Sequence, residues 1–303
     1  MRILVVGNEG QLARSLKALS PPPGVEIAAV GRPALDLLDP STIKIAFDAA
    51  QPDLVVNAAA YTAVDKAESE PDAAFAVNGA GAEALAQQCA MRSLPFIHVS
   101  TDYVFDGSKS SPYRETDPVS PLGAYGRSKL EGERRVAAAC PQHIILRTAW
   151  VFSPYGQNFV KTMLRLAASR PEIAVVDDQI GNPTYAPHLA AAILEVAQGI
   201  ARRDSVSWGL YHAVGSGEVT WCGLAREVFA LSERLGGPKA DVRAITTAEY
   251  PTPARRPANS RLDCTRLRDA FGVELPAWRE GVEDCVRELL TVRQPEPLNR
   301  SGP

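Results

Sequence analysis

The 303-residue chain has 46% hydrophobic and 22% charged residues, the mix of an ordinary globular protein, and its length suits one large α/β domain or two modest ones sharing a cleft. A net charge of −3 gives no electrostatic footprint for nucleic acid or an anionic membrane surface, and no apolar run approaches the roughly 20 residues that span a bilayer. Five cysteines (Cys89, Cys140, Cys222, Cys264, Cys285) are odd in number and never spaced as Cys-x-x-Cys, and the four histidines (His98, His143, His188, His212) lack ligand spacing. A reduced, cytoplasmic protein without a metal centre is expected, and the start of the chain reads as a strand rather than a signal peptide.

Arg2–Val6 is an apolar, β-branched run ending in Gly7-Asn8-Glu9-Gly10-Gln11-Leu12-Ala13, after which Leu12, Leu16 and Leu19 recur at helical spacing. Strand, glycine turn and helix in this order form the first third of a dinucleotide-binding βαβ unit. Gly7 permits the tight turn, and Gly10 lets backbone amides approach a diphosphate at the helix N-terminus, where the dipole favours anions. Ala13 takes the place of the third glycine and is small enough for helix–strand packing. The alternative is an ordinary strand–helix turn.

Pro21–Gly24 closes the first helix, and Val25–Val30 is the second strand. No carboxylate stands at its end to bind a ribose 2′-hydroxyl. Arg32 follows instead, either a partner for a 2′-phosphate, which tilts the choice towards NADPH, or a solvated loop arginine. Asp39 or Ser41 caps the helix over 41–50, while Asp36 is placed to contact an adenine. Asp53–Ala60 is a strand ending in small residues, which leave room for a ligand. A long helix is expected over 71–91, with Asn78 either a satisfied core amide or a link to the next motif.

That motif follows the strand Pro95–Val99: Ser100-Thr101-Asp102 at its end, then Tyr125 and Lys129 on a helix expected over 122–139. Positions i and i+4 share one helix face, and a nearby cation favours phenolate, so the pair suits a tyrosine proton donor of lowered pKa. Tyr-x-x-x-Lys is short enough to recur by chance and gains meaning only from its context. His143–Leu146 is the next strand, with Trp150 just past its end. Strands alternating with helices give the fold class α/β, a Rossmann-like doubly wound parallel sheet over 1–150, with a smaller C-terminal α/β domain over 151–303, some segments of which return to the first. In that second part, helices are expected over 158–169, 187–198, 220–235 and 281–292, and short strands over 174–176 and 210–214. Pro251–Pro257, with Arg255 and Arg256, is a rigid loop that either holds an anionic group or exposes two surface arginines. Residues 294–303 read as a frayed tail.

The glycine turn, Ser100-Thr101-Asp102 and Tyr125/Lys129, in this order, resemble the extended short-chain dehydrogenase/reductase family. Asn57–Glu68, Ser100–Gly107, Arg147–Val151 and Pro251–Pro257 narrow the resemblance to its dTDP-4-dehydrorhamnose reductases, and these segments span nearly the whole chain. The resemblance implies reduction of the C4 ketone of a dTDP-4-keto-6-deoxy sugar by NADPH or NADH. It makes Tyr125, Lys129 and Thr101 catalytic, and Thr101, Asp102 and Trp150 substrate-binding. It assigns the cofactor to Gly7, Gly10, Gln11, Leu12, Asp36, Leu37, Ala60, Tyr61, Thr62 and Val99, with Tyr125 and Lys129, beside the Arg32 already noted. A homodimer is compatible with it, but Ser15 stands where metal-bridged family members carry a glutamate, which argues against such a bridge. Two further readings are a reductase of a different dTDP-4-keto-6-deoxyhexose and a non-catalytic relative resembling the regulatory subunit of methionine adenosyltransferase. The second predicts loss of the tyrosine–lysine pair, and both residues are present.

Overall fold

The computed structural model describes residues 1–203 and 205–291, so the tail reading of 294–303 lies outside the described residues. The first half runs β1 (Arg2–Val6), α1 (Gln11–Ala18), β2 (Glu26–Val30), α2 (Pro40–Ala50), β3 (Leu54–Asn57), α3 (Val64–Ala67), α4 (Pro71–Phe75), a π-helical segment (Ala76–Gly81), α5 (Ala82–Met91), β4 (Phe96–Thr101), α6 (Ala124–Ala139) and β5 (His143–Thr148). The second runs β6 (Val151–Phe152), α7 (Phe159–Ala167), β7 (Glu172–Val176), β8 (Ile180–Gly181), β9 (Thr184–Tyr185), α8 (Ala186–Ala201), β10 (Gly209–His212), β11 (Val219–Thr220), α9 (Trp221–Arg234), β12 (Asp241–Ile245), β13 (Asn259–Ser260), α10 (Thr265–Phe271) and α11 (Trp278–Thr291).

Six strands form a parallel sheet in the order β10-β5-β4-β3-β1-β2. Both faces are covered, which is why β1 and β3 read as unbroken apolar runs rather than alternating ones. Within β1, Ile3 and Val5 point to one core, shared with Leu12 and Leu16 of α1 and with α8, while Leu4 and Val6 point to the other, shared with α2 and α5. After β1 the chain goes to one side for β2 and to the other for β3, β4 and β5. A crevice opens at this reversal, outside the carboxyl ends of β1 and β3.

A separate core gathers Phe152, Val160, Leu164, Val175, Val228 and Trp278 between α7, α9, α11 and short two- and three-stranded sheets. The described residues beyond 150 therefore do not form one unit: α8 packs under the main sheet, β10 extends it, and Val214 and Leu262 join a further cluster with Val104 and Phe105. The helix expected over 71–91 is one rod in three parts. Its middle turn widens at Asn78, where α6 presses close: a Cβ added to Gly132 would stand 2.1 Å from the Asn78 carbonyl oxygen. Helix α6 starts at Ala124 because Glu68 Oε1 accepts from its backbone N–H at 2.7 Å, leaving Leu122 in the preceding loop.

Candidate active site

One cavity of about 1170 Å³ runs along the carboxyl edge of the sheet; Arg32 and every residue the resemblance assigns to catalysis, cofactor or substrate line it, while Asn78, Arg255 and Arg256 do not. At one end Gly7, Gly10, Gln11 and Leu12 form the turn into α1. Gly7 has φ +114°, and a Cβ there would meet the Ala59 backbone nitrogen at 3.3 Å, so the turn needs glycine for conformation and for closeness alike. A Cβ on Gly10 would meet nothing within 4 Å, and no side chain caps α1. The first-turn amides thus face an open cradle of positive dipole, the chemistry that fits a diphosphate. Leu37 and Asp36 stand beside it, and Arg32 is exposed at its rim. Asp39, not Ser41, caps α2, its side chain accepting from Ser41 N at 3.0 Å.

Ala60, Tyr61 and Thr62 form the cavity's middle wall with Val99 of β4. Asn78 fixes that wall: its amide accepts from Tyr61 N at 2.8 Å and donates to Tyr61 O at 3.0 Å and to Ser128 Oγ at 2.9 Å. Asn78 is thus a satisfied buried amide and a tie to the helix of Tyr125 and Lys129.

Thr101, Asp102, Tyr125 and Lys129 meet deeper in the cavity. Thr101 Oγ1 donates to Asp102 Oδ1 at 3.0 Å, while Asp102 Oδ2 has no hydrogen-bond partner among the described residues. Burial pushes the Asp102 carboxyl up to about 6, against the hydroxyls of Ser260 and Thr101. Tyr125 stands edge-on to Tyr103, ring centroids 5.5 Å apart. Its phenol is not lowered, as the pairing with Lys129 predicts, but pushed up to about 12. Burial outweighs the Thr101 hydrogen bond, and the lysine is engaged elsewhere. Lys129 Nζ donates to Val99 O at 2.7 Å and lies 3.5 Å from His98 Nε2, and its own burial brings it down to about 8.

At the far end Trp150 lines the cavity with φ +48° and stacks on Trp221, centroids 3.5 Å apart. The Gln11 side chain leaves the turn into α1 for this region. Its Nε2 donates to Val151 O at 3.3 Å, and its Oε1 accepts from Ser153 Oγ at 2.9 Å and Asn158 Nδ2 at 3.0 Å. In the 251–257 loop, Arg256 holds the chain's own Asp65 through both carboxylate oxygens at 3.1 and 2.9 Å, while Arg255 is exposed. The anion this loop grips is therefore internal. Glu68, His98, Gln11's amide and Trp221 had no local signal: each acts on a residue remote in the chain.

A parallel doubly wound sheet, a glycine turn at its switch point and a tyrosine–lysine helix beside it define a dinucleotide-dependent reductase of the short-chain dehydrogenase/reductase type. A family model described as the RmlD substrate binding domain matches residues 1–291. The dTDP-4-dehydrorhamnose reductase of Sinorhizobium fredii is 51% identical over 291 residues, covering 96% of this chain and 98% of its own. That of Escherichia coli K12 is 42% identical over 296 residues, covering 96% and 99%. Among solved structures, a dTDP-4-dehydrorhamnose reductase from Clostridium acetobutylicum superposes with a TM-score of 0.89 at 36% identity, covering 96% of this chain and 100% of its own. Another from Bacillus anthracis, solved in complex with NADP, gives 0.88 at 33% identity over 95% and 99%. The chain belongs to the dTDP-4-dehydrorhamnose reductase family.

Proposed function

We propose that the protein reduces the C4 ketone of dTDP-4-dehydro-β-L-rhamnose to dTDP-L-rhamnose with NADPH or NADH, the last step of dTDP-rhamnose synthesis. The observation that carries this reading is the meeting of Tyr125, Lys129, Thr101 and Asp102 in one cavity with the uncapped turn of α1. In the cofactor assignment, the Gly7–Leu12 turn would hold the diphosphate and Asp36 and Leu37 the adenosine half, with Arg32 at a 2′-phosphate. Ala60, Tyr61, Thr62 and Val99 would flank the inner portion, and Lys129 the nicotinamide ribose. When bound, the dinucleotide supplies a hydride to C4.

Tyr125 is the proton donor to the C4 oxygen. A phenol at about 12 is fully protonated at neutral pH, so the donor form is the resting form. Thr101 and Asp102 orient the sugar beside the carbonyl, and Asp102 brings an acceptor oxygen with no competing partner. Trp150 bounds the sugar pocket. Residues 1–150 carry the cofactor side and 151–303 mainly the substrate side, with α8 and β10 returning to the sheet. Among the described residues no helix is long and apolar enough to cross a membrane, and we place the enzyme in the cytoplasm, compatible with a homodimer.

The test is the initial rate on the dTDP-keto-sugar with NADPH and NADH side by side, and the product's stereochemistry by NMR. dTDP-L-rhamnose is the expected product; a different deoxysugar, or no turnover with either dinucleotide, overturns the reading.

A further inference from the structure

Behind Lys129, away from the cavity, β3 and β4 bring together Asn57 and His98, each only 1% exposed. The Ala59 backbone N–H donates to Asn57 Oδ1 at 3.1 Å. A backbone amide can only donate, so the Asn57 carboxamide has one orientation, with its NH₂ turned to His98 Nδ1 at 3.1 Å. Nδ1 must then accept. A neutral imidazole with an accepting Nδ1 carries its proton on Nε2, and Nε2 is the atom facing Lys129 Nζ at 3.5 Å. An ammonium in that position meets a donor with a donor.

The surroundings do not relieve the conflict. Glu133, one turn along α6, is the acid that favours the Lys129 charge, but it is already held by Arg147 of β5 at 2.9 and 2.6 Å and by Ser100 of β4 at 2.5 Å. His143 of β5 acts against a second proton on His98, as does Lys129 itself. Tyr125 on α6 and Asp102 after β4 lie on the cavity side. None of these offers Lys129 an acceptor on its buried side.

We propose that His98 is a positioning residue for Lys129: its Nε2–H, held towards the amine by Asn57, denies the ammonium an acceptor behind it. Lys129 therefore keeps one N–H on Val99 O, turns its remaining donors to the cavity, and gives up its charge more readily than an ordinary lysine. The neutral amine, unlike the ammonium, accepts the His98 Nε2–H. Burial by itself already lowers Lys129 and, with Lys129 and His143, holds His98 neutral, so the Nε2–H acts on an amine that is desolvated from the start. The functional meaning rests on the proposed place of Lys129 at the nicotinamide ribose.

The test uses the full-length protein without ligands, labelled with ¹⁵N at histidine and lysine. Between about pH 6 and about 9, His98 is expected to remain neutral, with Nε2 protonated and Nδ1 bare. A protonated ring, or the proton on Nδ1, overturns the proposal. In Asn57→Asp a carboxylate oxygen replaces the NH₂ and draws the ring proton to Nδ1, leaving Nε2 bare to accept from the ammonium, so the Lys129 Nζ titration should move up by about one pH unit, and the alkaline limb of the kcat profile with it. An unmoved Lys129 midpoint overturns it equally, and if the variant does not fold, the wild-type tautomer still decides. Failure of sugar turnover with the expected tautomer would count against the proposed reaction and not against the His98–Lys129 arrangement.

Discussion

Asp102 costs the folded chain stability. Its carboxyl rises from 3.8 to about 6 on burial, so the folded state holds that proton more tightly than the unfolded state does. The stabilisation is complete below about pH 4 and is lost as pH rises through about 6, ~3 kcal/mol across the window. Asp102→Asn should therefore be more stable than the parent at pH 8, by ~1–2 kcal/mol after its lost hydrogen bonding, with the gap closing below about pH 4 in denaturant titrations. Turnover should fall, since the variant replaces a carboxylate oxygen of a residue that lines the cavity. At Tyr125 the opposite pattern is expected: Tyr125→Phe should cut single-turnover rate by roughly 10²–10⁴-fold with dinucleotide affinity nearly unchanged. The sequence reveals that these residues meet, because i, i+4 spacing and a strand's end are local features. It does not reveal their ionisation: the Tyr125 phenol rises rather than falls because burial and the turning of Lys129 to Val99 are set by β4, some 30 residues away.

At the scale of elements, α6 is held between two backbones. Added Cβ atoms on Gly126 and Gly132 would stand 2.2 Å from Tyr103 O and 2.1 Å from Asn78 O. Gly132→Ala should cost ~1–3 kcal/mol in a chemical denaturation curve, because neither backbone can retreat without moving the helix that carries Lys129. Gly10→Ala makes the contrast. Nothing occupies the space its methyl would enter, so stability should hold within ~0.5 kcal/mol while dinucleotide affinity drops, as read by fluorescence titration. Periodicity finds the long helices and the main-sheet strands to within a few residues, and Thr220 caps α9 as expected, accepting from Gly223 N at 3.0 Å, but β12 and α10 are not among the expected elements. It misses the widening at Asn78 and the start of α6 at Ala124, because both are imposed by neighbours, Gly132 and Glu68, that no local pattern contains.

Across the whole molecule, two long-range ties join segments 140 to 191 residues apart in the chain. Gln11 leaves the turn into α1 to bind Val151, Ser153 and Asn158, and Asp65 binds Arg256. The first makes the glycine-turn end and the Trp150 end of the cavity mechanically one. Gln11→Ala should raise the KM for the sugar nucleotide by about tenfold at saturating dinucleotide, with kcat less affected, because a loosened 151–158 segment must be ordered when the sugar arrives. Contacts of this separation are invisible to spacing arguments; the double-wound sheet was legible, whereas these crossings were not.

The indole stack of Trp150 on Trp221 has an optical consequence. Two indoles at 3.5 Å and 9° interplanar angle couple their transitions, and one of them also lines the cavity. Near-ultraviolet circular dichroism should carry a couplet from this pair that changes on addition of the nucleotide sugar and vanishes in Trp221→Phe. A couplet that responds in this way would read occupancy without a label and without turnover.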